Sequence, residues 1–382
     1  MRRVVLRGQL HGVDGAADAV LVEGGFIAWV GTGPAPGHVD EELVAEPGSI
    51  IAPGFIDLQV NGFAGHDAAA GRDAMASISD GLPSTGVTAF LPTLISAPVE
   101  EGASFAAQAR ALEAPGARVL GAHIEGPFIN PSYRGAHERA HLVYPSPARV
   151  ETLLAAQPRL VTIAPELPGG FEAVERMHRA GVVVSAGHTG ADFEQGRRAI
   201  EAGVRFGTHV FNAMPAVHHR RPGIALALLL DPRVAVGMIA DGEHLHTAVC
   251  EQVVRLKDAT RVALTTDQTA AAGMPPGRYE LMGRAVISDG LVARLEDGTL
   301  AGSAASMDDL VRLMAGLAGM NRARAIAMAT SVPAKVLGEK KLGRIKVGAC
   351  ADLVMLDTDL RVTLTMVGGE VKFRRERAAR AS

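Results

Sequence analysis

The sequence predicts an α/β fold: a (β/α)8 TIM barrel with a small β-sandwich domain formed from both termini. Three observations carry that expectation. Through the middle of the chain, eight short β-rich runs alternate with amphipathic segments. At the two ends, apolar and polar residues alternate between glycine turns without a helical period. Polar side chains also gather just past the carboxyl ends of the β-rich runs, the rim on which barrels assemble their chemistry.

The expected barrel strands are Ile50–Val60, Val87–Pro92, Arg118–Ile124, Leu160–Ala164, Val182–Ala186, Arg205–Thr208, Val234–Ile239 and Val262–Thr266. Helical spacing marks Asp73–Ser84, Glu100–Glu113, Pro147–Ala156, Phe171–Ala180, Asp192–Ala202 and Thr247–Asp258 between them. A doubly wound sheet needs fewer strands and usually a glycine-rich phosphate turn, which the sequence does not contain. The runs VVLRGQ, AVLVEGG and FIAWVG in residues 1–49, and LGRIKVGA, ADLVMLD, VTLTMV and EVKF in residues 342–373, read as short antiparallel strands. They divide the chain into a small β domain (1–49 with 342–382) and a barrel domain (50–341). Turns at Asp289-Gly290 and Asp297-Gly298 predict a hairpin over Ala285–Leu300, inserted before the last barrel helix.

Composition narrows the function. The 382 residues are 48% apolar, with a mean hydropathy of +0.17, as expected of a chain with a large buried core. A net charge of −3 and a pI near 6.5 exclude bulk attraction to nucleic acid or an anionic membrane. The opening MRRVVLRGQL lacks the apolar run of a signal peptide, and no apolar stretch is long enough to span a bilayer. Cys250 and Cys350 make no disulfide framework and no CxxC pair, which fits a cytoplasmic protein.

The chemistry sits at the strand ends. Strand one runs into Asp57-Leu58-Gln59-Val60-Asn61, and strand three into His123-Ile124-Glu125. Strand five leads to His188, strand six to His209 and then Asn212, strand seven to Asp241 and His244, and strand eight to Asp267. Singly, each has an ordinary reading as a cap or a hydrogen-bonded polar residue. Together, one carboxylate, two imidazoles and a further Asp on one face suit a divalent metal with an open position for water. Glu125, His188 and His209 are the expected ligands. Asp267 is the expected acid/base that takes the water's proton and returns it to the leaving amine. The remaining histidines are candidates for polarising a carbonyl or holding an anion.

The strings PGFIDLQVNG, AHIEGPFINP with RGAH, SAGHT, THVFNAMP with RPG, ADGEH and LAGSA together resemble the N-acetylglucosamine-6-phosphate deacetylases of the amidohydrolase superfamily. The likeness runs from the start of the barrel to about residue 306, and the terminal β segments resemble the superfamily's small domain. EGPF and HxFNAMP are specific to that family, whereas PGFID and ADLV are shared across the superfamily. The resemblance implies Glu125, His188 and His209 as metal ligands, Asp267 as catalytic acid/base, and His137 as a catalytic residue that helps polarise the acetyl carbonyl. It implies substrate binding by His137, Asn212, Ala213 and His244, and by Leu300, Ala301 and Gly302 of LAGSA. It also implies that Arg220 reaches the phosphate in the neighbouring subunit, hence a homodimer with a small amino-sugar phosphate as its partner. His218, His219 and Arg221 crowd the same loop and read individually as a solvated basic turn.

Two departures matter. Many superfamily members carry His-x-His on strand one for a second metal. Here the positions are Gln59 and Asn61, as in the single-metal branch, so one divalent ion per subunit is expected: Zn, Fe, Co or Mn. The family's TDA after strand eight is replaced by Asp267-Gln268-Thr269. Cyclic-amide hydrolases usually place a carboxylated Lys at the end of strand four, but this chain has IAPELPG there. Superfamily deaminases generally need the missing strand-one histidines. A deacetylase of the galactosamine epimer and a non-catalytic sugar-phosphate-binding protein remain as alternatives.

Overall fold

A computed structural model describes residues 1–13 and 15–376. Its centre is a ring of eight parallel strands: β1 (Phe55–Val60), β2 (Val87–Leu94), β3 (His123–Glu125), β4 (Leu160–Ile163), β5 (Val183–Ala186), β6 (Phe206–Gly207), β7 (Ala235–Met238) and β8 (Val262–Leu264). Neighbours pair in sequence order from β1 to β8. Closure comes just past β1 and β8, where the Asp267 N–H donates to Gln59 O (3.0 Å) and the Asn61 N–H to Gln268 O (2.9 Å). Each strand precedes one helix of the outer ring: α1 (Arg72–Gly81), α2 (Val99–Arg110), α3 (Pro147–Ala155), α4 (Gly170–Arg179), α5 (Phe193–Ala202), α6 (Gly223–Leu230), α7 (Thr247–Lys257) and α8 (Met307–Ala315).

Burial on both faces explains the near-continuous apolar character of the strands; every residue of β2 is buried. Capping fixes where helices begin. Asp192 and Gln195 form a reciprocal box at α5, and Ser306 and Asp309 do so at α8. Beneath the barrel, the helices Arg322–Ala329 and Ser331–Val336 close the lower end. There Val332, Ala334 and Leu337 pack against Ile56, Leu58, Leu91 and Phe206.

Several elements differ from the sequence reading, each for a local reason. The expected strand Ile50–Val60 is two strands, broken at Gly54, where a Cβ would lie 2.2 Å from the Thr88 side chain. Ile50–Pro53 pairs antiparallel with Leu353–Leu356, and only Phe55–Val60 enters the barrel. Gly121, at φ +115°, splits Arg118–Ile124 into Arg118–Val119 and β3. The helix expected to reach Ser84 ends at Gly81 and continues as a 3-10 turn containing Pro83. Helix α6 is apolar around its whole circumference, so periodicity gave no sign of it.

Both termini supply β-sheets. Strands Phe26–Gly31, Ala19–Glu23, Arg3–Arg7 and Glu41–Val44 form one sheet, in that order. Gln9–Leu10, Ile50–Pro53, Leu353–Leu356, Val362–Val367 and Glu370–Arg374 form the other. One apolar cluster, including Leu6, Val20, Ile27, Ile51, Leu353 and Met366, lies between them. Residues 377–382 of the expected small domain lie outside the described residues. The expected hairpin is larger than foreseen: Gly277–Leu281, Arg284–Ser288, Val292–Leu295 and Leu300–Ser303 make a four-stranded antiparallel sheet between β8 and α8. Among the described residues, no helix is long and apolar enough to cross a membrane.

Candidate active site

The cavity at the carboxyl ends of the strands is about 340 Å³ and is lined by Glu125, His137, His188, His209, Asn212, Ala213, His244, Asp267, Leu300, Ala301 and Gly302. Every residue given a metal, catalytic or substrate-binding role by the family resemblance lies on it except Arg220, whereas the strand-end His123 does not. Backbone geometry turns the side chains inward. His188 (φ +49°), His209 (φ +29°) and Asp267 (φ +51°) all leave the extended region immediately after their strands. Such values are uncommon for non-glycine residues and cluster at functional sites.

Three donor atoms converge. Glu125 Oε1 lies 3.0 Å from His209 Nε2 and 3.2 Å from His188 Nε2, and the two imidazole nitrogens are 3.1 Å apart. A tetrahedral ion with bonds of about 2.0–2.2 Å spaces its ligand atoms about 3.4 Å apart, so this set fits three corners of one. Supporting contacts aim these side chains. The His188 Nδ1–H donates to the Tyr133 carbonyl (2.8 Å), which leaves Nε2 with its lone pair toward the cluster. Gln59 Nε2 donates to Glu125 Oε2 at 3.1 Å.

Glu125, His137 and His188 also present donor atoms within 4.8 Å of one another, so His137 borders the same cluster. Its tautomer distinguishes it from His188. The backbone N–H of Ser96 donates to His137 Nδ1 at 3.1 Å, with Ser96 Oγ at 2.8 Å. A neutral ring accepting at Nδ1 carries its proton on Nε2, the atom that faces Glu125 at 3.9 Å. Burial, reinforced by the nearby His188, holds His137 well below the usual histidine range, which keeps the ring neutral at pH 7. His137 is therefore an N–H donor into the cavity, whereas His209 completes the tight triangle with Glu125 and His188.

On the opposite side, the Asn61 amide donates to Asp267 Oδ1 at 2.7 Å. His244 gives its Nδ1–H to Asp241 Oδ2 at 2.6 Å and leaves Nε2 for the cavity. Asn212 Nδ2 is buried without an acceptor among the described residues, a free donor beside them.

A model of the amidohydrolase family matches residues 50–372. The N-acetylglucosamine-6-phosphate deacetylase of Bos taurus is 38% identical over 349 residues, 87% of this chain and 85% of that protein. The chain is an amidohydrolase of the N-acetylglucosamine-6-phosphate deacetylase family. The N-acetylgalactosamine-6-phosphate deacetylase of Escherichia coli O157:H7 is 36% identical over 330 residues, 84% of this chain and 87% of that protein. In three dimensions the chain matches a variant of the Mycobacterium smegmatis N-acetyl-D-glucosamine-6-phosphate deacetylase in complex with N-acetyl-D-glucosamine-6-phosphate. The TM-score is 0.90 at 33% identity, covering 97% of this chain and all of that one.

Within this amidohydrolase, the electrostatics separate the two cavity carboxylates. Burial opposes ionisation of Glu125, yet the imidazoles of His188 and His209 beside it outweigh that burial and hold the carboxyl well below its ordinary range. Burial and then the Glu125 charge push Asp267 up to about 6. Two carboxylates with opposed shifts suit one fixed anion and one group that exchanges a proton. Below them, hydroxyls run in one direction across the barrel, from Ser185 to Thr208 to Thr162 to His123 Nε2, at 2.6–2.7 Å per step. The His123 Nδ1–H closes that chain on the Leu58 carbonyl (3.1 Å).

Sequence reasoning missed part of the wall. Ile95, Tyr133, Ala136 and Leu281 line the cavity, and Ile95, Ala136 and Leu281 belong to the apolar cluster under the inserted sheet. Two signals were available: Tyr133 sits between the INP and RGAH strings, and Ala136 lies within RGAH itself. Arg220 is exposed, bonded to His219 Nε2 at 2.7 Å, and does not line its own chain's cavity.

Proposed function

We propose that the chain hydrolyses the acetamide of N-acetylglucosamine 6-phosphate to glucosamine 6-phosphate and acetate. The observation that carries this reading is the meeting of three ligand atoms, a neutral His137 N–H and a proton-exchanging Asp267 on one cavity of substrate size. Its relatives and the M. smegmatis complex support the substrate class. Glu125, His188 and His209 would hold one divalent ion, Zn, Fe, Co or Mn, with Gln59 and Asn61 standing where a second ion would need histidines. When bound, the ion supplies Lewis acidity toward the carbonyl oxygen and the attacking water.

The chain's own groups do the rest. His137 donates its Nε2–H to the carbonyl oxygen as charge builds there. Asp267, with one oxygen occupied by Asn61, accepts the water's proton on the other and delivers it to the leaving amine. His244, oriented by Asp241, and the free Asn212 donor hold the sugar phosphate, with Ala213, Leu300, Ala301 and Gly302 shaping its seat. Arg220 reaches the phosphate in a partner subunit, a role supported by its exposure and its absence from its own cavity's wall. The same reading makes the protein a cytoplasmic homodimer. Acetate release from both N-acetylglucosamine and N-acetylgalactosamine 6-phosphate, after loading with each candidate metal, tests the activity and the epimer together. Tight binding of either sugar phosphate without acetate release would instead favour a non-catalytic binding protein.

A further inference from the structure

Glu166 stands just beyond β4, half-buried, and plays no part in the chemistry above. Its carboxylate gathers three uncharged donors from two different loops. Oε1 accepts the Asn130 side-chain amide (2.9 Å) and the Gly190 backbone N–H (2.6 Å), and Oε2 accepts the Thr189 hydroxyl (2.5 Å). Thr189 and Gly190 directly follow His188. Asn130 opens the loop that carries Tyr133, whose carbonyl selects the His188 tautomer.

The two loops also bond directly. The Asn130 N–H donates to His188 O (2.9 Å), and the Tyr133 N–H donates to Asn130 O (2.9 Å). They pack so closely that a Cβ on Gly190 would lie 2.8 Å from the Tyr133 ring and 3.0 Å from Asn130 Nδ2. His188 meanwhile holds φ at +49°, a conformation that persists in a non-glycine residue only where its surroundings enforce it. Glu166 joins both sides of that arrangement from a third strand end.

We propose that Glu166 is a positioning residue of the metal centre: by tying Asn130 to Thr189 and Gly190 it fixes the direction and tautomer of the His188 ring. This rests on the reading of His188 as a ligand. Outer hydrogen-bond partners of metal ligands typically govern affinity by about 10- to 100-fold. Glu166→Ala should therefore weaken Zn²⁺ or Co²⁺ binding by about that factor in chelator competition, and alter the visible spectrum of the Co²⁺ form. Glu166→Gln retains an oxygen for Asn130 and Gly190 and can donate to Thr189 Oγ, so it should restore most of the affinity. Thr189→Val removes a single hydroxyl with little change in shape and should weaken the ion by about 3- to 10-fold, which keeps the test open if Glu166→Ala folds poorly.

Two controls separate the possible failures. His188→Ala should abolish tight binding; if it does not, the metal-centre reading itself fails. Asp352→Ala removes a buried carboxylate that bonds Arg118 and does not line the cavity, and should lower the unfolding temperature without changing ion affinity. If His188→Ala abolishes binding while Glu166→Ala and Thr189→Val bind both ions like the unaltered protein, Glu166 is no positioning residue. The proposal also falls if Asp352→Ala weakens the ion as much as Glu166→Ala, because general destabilisation would then explain the loss.

Discussion

Replacing Asp267 with Asn tests the proton-transfer reading with little change of shape. Asn61 Nδ2 holds Asp267 Oδ1 at 2.7 Å. An Asn at 267 keeps its carbonyl oxygen in that bond and turns an NH₂ group toward the cavity, where a proton acceptor stood. Neither the donor triangle nor its supports at Tyr133 and Gln59 involve Asp267, so metal content should stay near that of the unaltered protein. General acid–base catalysis contributes about 10²–10⁴-fold per step, and one group serving both attack and departure sits at the upper end. The expected loss in kcat is thus about 10⁴-fold, equivalent to about 5.5 kcal/mol of transition-state stabilisation. The pH profile gives a second readout. Burial and the Glu125 charge raise Asp267 to about 6, and a bound divalent cation acts in the opposite sense. Since the ionised form is the base, kcat/KM should fall as pH drops through a midpoint at or below about 6, and Asp267→Asn should erase that limb. Acetate release with parallel elemental analysis measures both effects. Retention of most of the kcat with full metal content, or an unchanged acidic limb, would refute the assignment.

Saturation with metal should give about one divalent ion per chain by elemental analysis, because Gln59 is already bonded to Glu125 and Asn61 to Asp267; a reproducible value near two would contradict this. Arg220→Ala should weaken the phosphorylated sugar by about 10- to 100-fold while sparing unphosphorylated N-acetylglucosamine, and equal losses would remove Arg220 from the phosphate. Mixed dimers of Arg220→Ala and Asp267→Asn chains should recover up to about half of the activity per dimer, because one composite site is complete; no recovery after confirmed subunit exchange would place Arg220 outside the partner's site. Burial pushes Asp57 up to about 7, so its folded pKa lies above its unfolded one and its contribution to stability is lost as pH rises from about 4 through 7. The unfolding temperature of Asp57→Asn relative to the unaltered protein should rise over that interval and level off above it, and a pH-independent difference would show that Asp57 does not titrate there.

Much of this was legible in the sequence because barrel chemistry is written at strand ends. Glu125, His188, His209, Asn212, His244 and Asp267 each follow a recognisable β-rich run, and the closed ring brings them together whatever the exact strand boundaries. Positions set by backbone approach were harder to read. Gly54 divides one apolar run between two sheets because Thr88 lies against it, a contact between residues 34 apart in sequence. The polar supports were equally hidden. Nothing in IAPELPG announces that Glu166 will bind the loops after β3 and β5, and Ser96 becomes meaningful only once His137 is folded against it. The apolar wall of Ile95 and Leu281 depends on an inserted sheet of which only the last two turns carried signals, leaving its first strand unread.

The contact between the Ser96 amide and His137 has a consequence for how this site can vary. The group that dictates the protonation pattern of His137 belongs to the main chain, so nineteen of the twenty residue types supply it equally. Ser96→Ala would discard the hydroxyl yet keep the directing N–H, and only proline would delete it outright. Small replacements at this buried position, such as Ala or Gly, should therefore leave the directing N–H in place, and a library seeking to move the His137 proton from Nε2 would have to relocate the backbone after β2.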